Sequence, residues 1–129
     1  MAIKRLEHVG IMVRDIQKSI SFYTDTLGLK LKGELDHSNG TIKLAFLGFE
    51  VDGETEIELI EGYNDALPAE GKVHHIALKV DDVEEEYQRL QNLNVSFVEN
   101  EITTLPNGAR YIFFEGPDGE RIELFEKIN

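Results

Sequence analysis

The chain has 129 residues, 41% of them hydrophobic, with 25 Asp and Glu against 13 Lys and Arg, a formal net charge of −12 and no cysteine. That size and apolar content fit one folded domain, or two small modules sharing a core. They exclude a disulfide framework, a Cys nucleophile and a thiolate metal site, and the acidic balance argues against nucleic acid and anionic membranes, which basic residues bind.

The chain begins Met1-Ala2-Ile3-Lys4-Arg5-Leu6-Glu7, and no apolar run that would make a signal peptide follows. No stretch approaches the ~20 apolar residues of a membrane span. A cytoplasmic protein that binds a small molecule is the expectation. Residues 4–13 alternate as a strand, and residues 16–26 carry Ile16, Ile20, Tyr23 and then Leu27 at helical spacing. Asp15 is placed to cap that helix. Three strands follow near 29–35, 41–49 and 55–61. Asn39-Gly40 and Asp52-Gly53 punctuate them, dipeptides that supply the positive φ of tight hairpins. Residues 62–72, with Asn64, Pro68 and Gly71, read as a linker.

The same order then returns. Residues 73–80 alternate as a strand. A helix over 82–93 has apolar Val83, Tyr87 and Leu90, and Asp81-Asp82-Val83-Glu84-Glu85 offers two overlapping capping boxes. Strands near 95–99, 110–115 and 121–126 complete it, with Asn107-Gly108 and Asp118-Gly119 at the turns. The prediction is an α+β protein of βαβββ order written twice, one domain over 1–129 made of modules at about 1–61 and 73–129.

The repeat is visible in the residues themselves. His8-Val9-Gly10-Ile11-Met12-Val13-Arg14-Asp15-Ile16 matches His75-Ile76-Ala77-Leu78-Lys79-Val80-Asp81-Asp82-Val83 at an offset of 67. The same offset carries Lys43-Leu44-Ala45-Phe46-Leu47 onto Arg110-Tyr111-Ile112-Phe113-Phe114. Ile57-Glu58-Leu59-Ile60-Glu61 returns as Ile122-Glu123-Leu124-Phe125-Glu126 at an offset of 65.

Strand alternation sorts these residues by face. Val9, Ile11 and Val13 share the face that packs under the helix, and His8, Gly10 and Met12 share the other. Ile76, Leu78 and Val80 oppose His75, Ala77 and Lys79 in the same way. On the last strands Ile57 and Leu59 oppose Glu58 and Ile60, and Ile122 and Leu124 oppose Glu123 and Phe125. A carboxylate bracketed by aliphatic residues needs a partner. A duplicated scaffold has packing reasons to keep aliphatic residues but none to keep His and Glu at the same two places. His8, Glu58, His75 and Glu123 are therefore the candidate ligands of one divalent cation, with Glu58 and Glu123 the candidate catalytic residues. Nitrogen and oxygen donors without sulfur suit Ni²⁺, Zn²⁺, Co²⁺, Mn²⁺ or Fe²⁺. His74, on the helix-facing parity, and His37, in a turn region, read as structural or exposed. The run 81–86 reads as a helix start with a solvated face. Gly33, Gly40 and Gly48 make no phosphate-binding fingerprint.

With these motifs, Phe22-Tyr23, Leu27-Gly28-Leu29 and Gly116-Pro117-Asp118-Gly119-Glu120-Arg121, the chain resembles the vicinal oxygen chelate superfamily, the glyoxalase/bleomycin-resistance/extradiol-dioxygenase group. The resemblance implies paired βαβββ modules forming a cupped mixed sheet around a metal held by His8, Glu58, His75 and Glu123. Glu at both carboxylate positions resembles bacterial glyoxalase I (lactoylglutathione lyase). That likeness implies conversion of a 2-oxoaldehyde–thiol hemithioacetal to a 2-hydroxyacyl thioester through an enediolate stabilised by the metal, in a homodimer. Two positions depart from the glyoxalase pattern: Met12 stands where an Arg is usual and Gly62 where an Asn is usual, which leaves the thiol open. Methylmalonyl-CoA epimerase is also similar, notably at His74-His75-Ile76, but carries a Glu where this chain has Lys43. A non-catalytic, drug-binding relative is the other alternative.

Overall fold

The computed structural model describes residues 6–36, 40–63, 66–68 and 74–126. His37, Asn39, the first residues of both expected modules and part of the expected linker lie outside the described residues. The chain divides into two compact units, Met1–Leu67 and Pro68–Asn129.

The first unit runs β1 (His8–Val13), α1 (Ile16–Ser21), a π turn (Phe22–Thr26), β2 (Lys30–Asp36), β3 (Lys43–Gly48) and β4 (Glu56–Glu61). Its sheet has the order β1-β4-β3-β2. β1 is parallel to β4, and the β3 pairings are antiparallel. The helix starts where its orphan N–H groups find acceptors. Asp15 Oδ1 accepts from Lys18 N at 3.2 Å, and Glu61 Oε1, from the end of β4, accepts from Ile16 N at 2.9 Å. Val13, Ile16, Ile20, Tyr23, Leu29, Ala45, Leu47, Ile57 and Leu59 form the buried core of this unit.

The helix expected over 16–26 is α-helical only to Ser21 and then widens. Thr24 Oγ1 donates to the carbonyl of Ile20 at 2.8 Å, a back-bond that bends helices. Leu27 N then donates to Phe22 O, five residues back, at 3.3 Å. Gly28, at φ 86°, ends the turn in the left-handed region, and Leu29 N closes onto Tyr23 O at 3.0 Å.

The second unit runs β5 (Ile76–Lys79), α2 (Val83–Asn92), β6 (Ser96–Phe97), β7 (Thr103–Thr104), β8 (Arg110–Glu115) and β9 (Arg121–Glu126). The sheet order is β5-β9-β8-β6, with β7 also on β8. Of the two candidate caps in the sequence, the chain uses Asp82: its carboxylate accepts from Glu84 N and Glu85 N at 3.1 and 3.2 Å. Glu126 Oε1 accepts from Val83 N at 2.9 Å, as Glu61 does for α1. The strand expected over 95–99 is cut to two residues, and β7 takes up the rest of the β8 edge. The cause is Glu99, whose Oε1 accepts from Phe113 N at 3.2 Å in place of a ladder carbonyl. Two mixed sheets with few helices make this the expected α+β class.

The turns between β3 and β4 and between β8 and β9 share a device invisible to local patterning. Glu54 folds back so that its carboxylate accepts from Phe49 N at 2.8 Å and Glu50 N at 2.9 Å, with Lys32 Nζ at 3.2 Å. Chiefly the Phe49 N–H holds this carboxyl below the usual range, against the opposing effect of burial. Glu120 Oε1 likewise accepts from Asp118 N at 2.9 Å. Gly48 and Gly116 make room, since a Cβ at either would collide with the Glu54 or Glu120 carboxylate.

Candidate functional site

Each unit brings its histidine and its glutamate together on the sheet face away from the helix. His8 Nε2 lies 3.7 Å from Glu58 Oε1. His75 Nε2 lies 3.4 Å from Glu123 Oε1. In both, the pairing is diagonal across parallel strands. Glu58 sits directly opposite Gly10 on β1, and Glu123 directly opposite Ala77 on β5. The small residue leaves the glutamate free to lean toward the histidine two positions earlier. A Cβ on Gly10 would already come within 3.2 Å of Ile60 Cδ1 and 3.7 Å of Glu58 Oε1. On the other side each glutamate faces a phenylalanine, Phe46 across β3 and Phe113 across β8. The rows Gly10–Glu58–Phe46 and Ala77–Glu123–Phe113 thus repeat one pattern: small residue, carboxylate, aromatic wall.

The burial is graded. The Glu58 and Glu123 side chains are 16% and 11% exposed, whereas those of His8 and His75 are 39% and 34% exposed. The carboxylates are therefore anchored in the sheet, and the imidazoles reach outward. Burial pushes the Glu123 carboxyl up from its ordinary value; His75 opposes the shift and Glu99 adds to it. A carboxylate in that position gains from a neighbouring cation.

The donor chemistry fits a divalent ion. Two ligand atoms each about 2.1 Å from one cation sit roughly 3.0–3.6 Å apart at bond angles of about 90–120°. The His75–Glu123 gap of 3.4 Å falls in that interval, and the His8–Glu58 gap of 3.7 Å lies at its upper edge. What each unit presents is a pair, since among the described residues no group of three or more His, Asp or Glu side chains is placed to hold a metal ion by itself.

Strand alternation misses two neighbours of these pairs. Glu7 Oε1 lies 3.4 Å from His8 Nδ1, and His74 Nδ1 lies 2.9 Å from His75 Nδ1. His74 is exposed, with its ring edge-on to His75 at a centroid distance of 5.2 Å. His74 lies two residues before β5, outside the ladder, and its side chain does not follow the helix-facing parity. The signal that could have found both contacts is that positions 7 and 74 are one position of the repeat. His37 lies outside the described residues.

The departures from the glyoxalase pattern have visible settings. Met12 faces Ile60 on β4, which faces Leu44 on β3, so the row beside the first pair is apolar. Gly62 has φ 92°, and a Cβ there would run into the Thr41 carbonyl, so the backbone excludes an Asn. Lys43 is exposed on β3.

The sequence pattern of the family described as Glyoxalase/Bleomycin resistance protein/Dioxygenase superfamily matches residues 5–124. The chain is 61% identical over 124 residues to a Bacillus subtilis (strain 168) protein named "Uncharacterized protein YwbC", covering 96% of this chain and 98% of that one. It is 38% identical over 127 residues to the lactoylglutathione lyase of Salmonella typhimurium, covering 95% of this chain and 92% of that one. Among solved structures, the trypanothione-dependent glyoxalase I of Leishmania major matches with a TM-score of 0.79 at 30% identity, over 96% of this chain and 87% of that one.

Proposed function

The chain belongs to the glyoxalase/bleomycin resistance/dioxygenase superfamily, and we propose that within it the protein is a metal-dependent lyase of the glyoxalase I type. Its substrate is a hemithioacetal formed from a 2-oxoaldehyde and a thiol, and its product a 2-hydroxyacyl thioester. The observation that carries this reading is the repeated His–Glu pair, with Nε2 and Oε1 separated by 3.7 Å in one unit and 3.4 Å in the other. His8, Glu58, His75 and Glu123 would hold one divalent cation. Nickel, zinc, cobalt, manganese and ferrous iron all suit nitrogen and oxygen donors. When bound, such an ion supplies a Lewis acid for two adjacent substrate oxygens.

The proton work falls to the carboxylates, and we assign it to Glu123. It is the more buried of the two carboxylates, 11% exposed against 16% for Glu58, so water competes with it least. Glu123 takes the proton from the carbon that bears the hydroxyl and the sulfur. The electron pair passes into an enediolate, and the proton returns to the neighbouring carbon. The hydroxyl proton passes from the oxygen on the first carbon to the oxygen on its neighbour, so the carbon that lost its C–H proton becomes the thioester carbonyl and the neighbour carries the hydroxyl. No atom is gained or lost. Phe46 and Phe113, across from the two glutamates, wall the sites with apolar surface that limits water. The resemblance to bacterial glyoxalase I that suggests this chemistry also suggests a homodimer, and an isologous interface would cover exposed sheet edges.

The test is thioester formation from methylglyoxal with a panel of low-molecular-weight thiols, followed by ultraviolet absorbance in protein loaded with each metal in turn. Activity with at least one thiol is expected, and its loss in Glu123→Gln. Flat absorbance with every thiol and metal would remove the reading.

A further inference from the structure

We propose that the residue just before each candidate ligand histidine, Glu7 in the first unit and His74 in the second, is a positioning residue that aims the imidazole Nε2 at the cation. The inference rests on His8 and His75 being metal ligands. It adds to that reading two residues outside the ligand set.

Positions 7 and 74 are separated by 67, the offset that relates His8 to His75. Both preceding side chains reach the same ring atom. Glu7 Oε1 is 3.4 Å from His8 Nδ1, and His74 Nδ1 is 2.9 Å from His75 Nδ1. In both rings the other nitrogen, Nε2, faces the glutamate of the pair. A side chain normally cannot touch its strand neighbour, because the two point to opposite faces. Here the contact is open because Glu7 lies just before β1 and His74 and His75 lie just before β5.

The chemistry follows from the donor inventory. A neutral imidazole has one N–H and one lone pair, and the partner on one nitrogen decides which is which. A carboxylate accepts only, so Glu7 holds the His8 proton on Nδ1 and leaves Nε2 as the bare donor atom. His74 Nδ1 accepts from His75 Nδ1–H to the same end. Phe113 backs the second pair, with its ring 4.9 Å from that of His75 and 6.2 Å from that of His74. Partners of this kind change metal affinity by roughly 10–100-fold when removed. The His74 contact is the shorter, 2.9 Å against 3.4 Å, so His74 carries the larger share.

The test is a zinc titration of the full chain against a competing chelator, with no activity readout. His74→Ala is expected to weaken zinc binding by about 10–100-fold, and Glu7→Ala by less, in the same direction. His74→Asn, whose amide oxygen can accept near the same place, is expected to recover most of the affinity. In ¹⁵N–¹H spectra of the zinc-loaded protein, a hydrogen-bonded Nδ1–H of His75 should be visible in the wild type and in His74→Asn, and lost to exchange in His74→Ala. Unchanged affinity in His74→Ala, or equal weakness in His74→Asn, overturns the role of His74 while leaving the ligand set intact. A wild-type protein that takes up no divalent ion from the series above overturns both readings.

Discussion

The carboxylate of Glu61 accepts a hydrogen bond from the backbone N–H of Ile16 at 2.9 Å, bridging residues 45 apart in the chain. Glu126 does the same for Val83, at 2.9 Å and 43 residues apart. Each bond ties the strand that carries a candidate ligand glutamate to the start of the helix packed behind it. Glu58 is three residues before Glu61, and Glu123 three before Glu126, so the strand ends beside the site are held by the helices.

Removing this bond should loosen each unit. Glu61→Ala and Glu126→Ala each leave a partly buried N–H of the first helical turn without its acceptor. The expected loss is about 1–2 kcal/mol apiece, in the range of N-cap substitutions. Chemical denaturation of the single variants measures it. Two losses below ~0.3 kcal/mol would mean that the bonds are replaced by water at no cost.

Glu54 gives a pH-dependent contribution with a definite sign. Its carboxyl is held below the ordinary value of 4.5, first by the Phe49 N–H. The folded chain therefore releases that proton more readily than the unfolded chain. The stabilisation is fully present above 4.5 and drains away as the pH falls through the lowered native value. Thermal unfolding of wild type and Glu54→Gln should differ at pH 7, with the wild type more stable, and the gap should close as the pH falls below 4.5.

The two turn glycines should be intolerant of even one methyl group. Gly48→Ala and Gly116→Ala each drive a Cβ into a glutamate carboxylate that is holding loop N–H groups. A destabilisation of about 1–3 kcal/mol is expected for each, from displaced hydrogen bonds and overpacking. Gly53→Ala, whose added Cβ meets nothing within 4 Å but sits at φ 72°, separates backbone strain from collision. It should cost less, about 1 kcal/mol.

The small residues opposite the glutamates should govern metal uptake. Gly10→Val and Ala77→Val fill the space into which Glu58 and Glu123 lean, while the helix-facing core is left alone. Both are expected to weaken zinc binding by about tenfold or more; Gly10→Val also crowds Ile60 and should cost stability, whereas Ala77→Val should leave the metal-free protein's stability little changed. Calorimetric titration checks this, and undiminished affinity in both would mean that the glutamates approach the ion by another route.

The two glutamates should separate in function. With proton transfer assigned to Glu123, Glu123→Gln abolishes turnover even at saturating metal. Glu58→Gln raises the metal concentration needed and leaves measurable activity once the ion is bound. Equal, complete loss in both variants at saturating metal would mean that the carboxylates share the proton.

Much of this molecule was legible along the chain, because it depends on relations between near neighbours. The repeat, the βαβββ order, the hairpin glycines and the Asp15 and Asp82 caps are local patterns. The division of each strand into a helix-facing and an open face follows from a period of two. Those rules placed His8 with Gly10, His75 with Ala77, and each glutamate beside an aliphatic bracket. Tertiary structure alone decided the rest. The diagonal lean of Glu58 toward His8 depends on the parallel register that sets Gly10 opposite Glu58. The split of the 95–99 strand depends on Glu99 meeting Phe113 N, 14 residues on. The helix caps from Glu61 and Glu126 reach across more than 40 residues. The contacts of Glu7 and His74 arise where strand geometry has not yet begun. Period and propensity describe how a side chain is aimed, but what it meets is set by the strand or helix that folding brings against it.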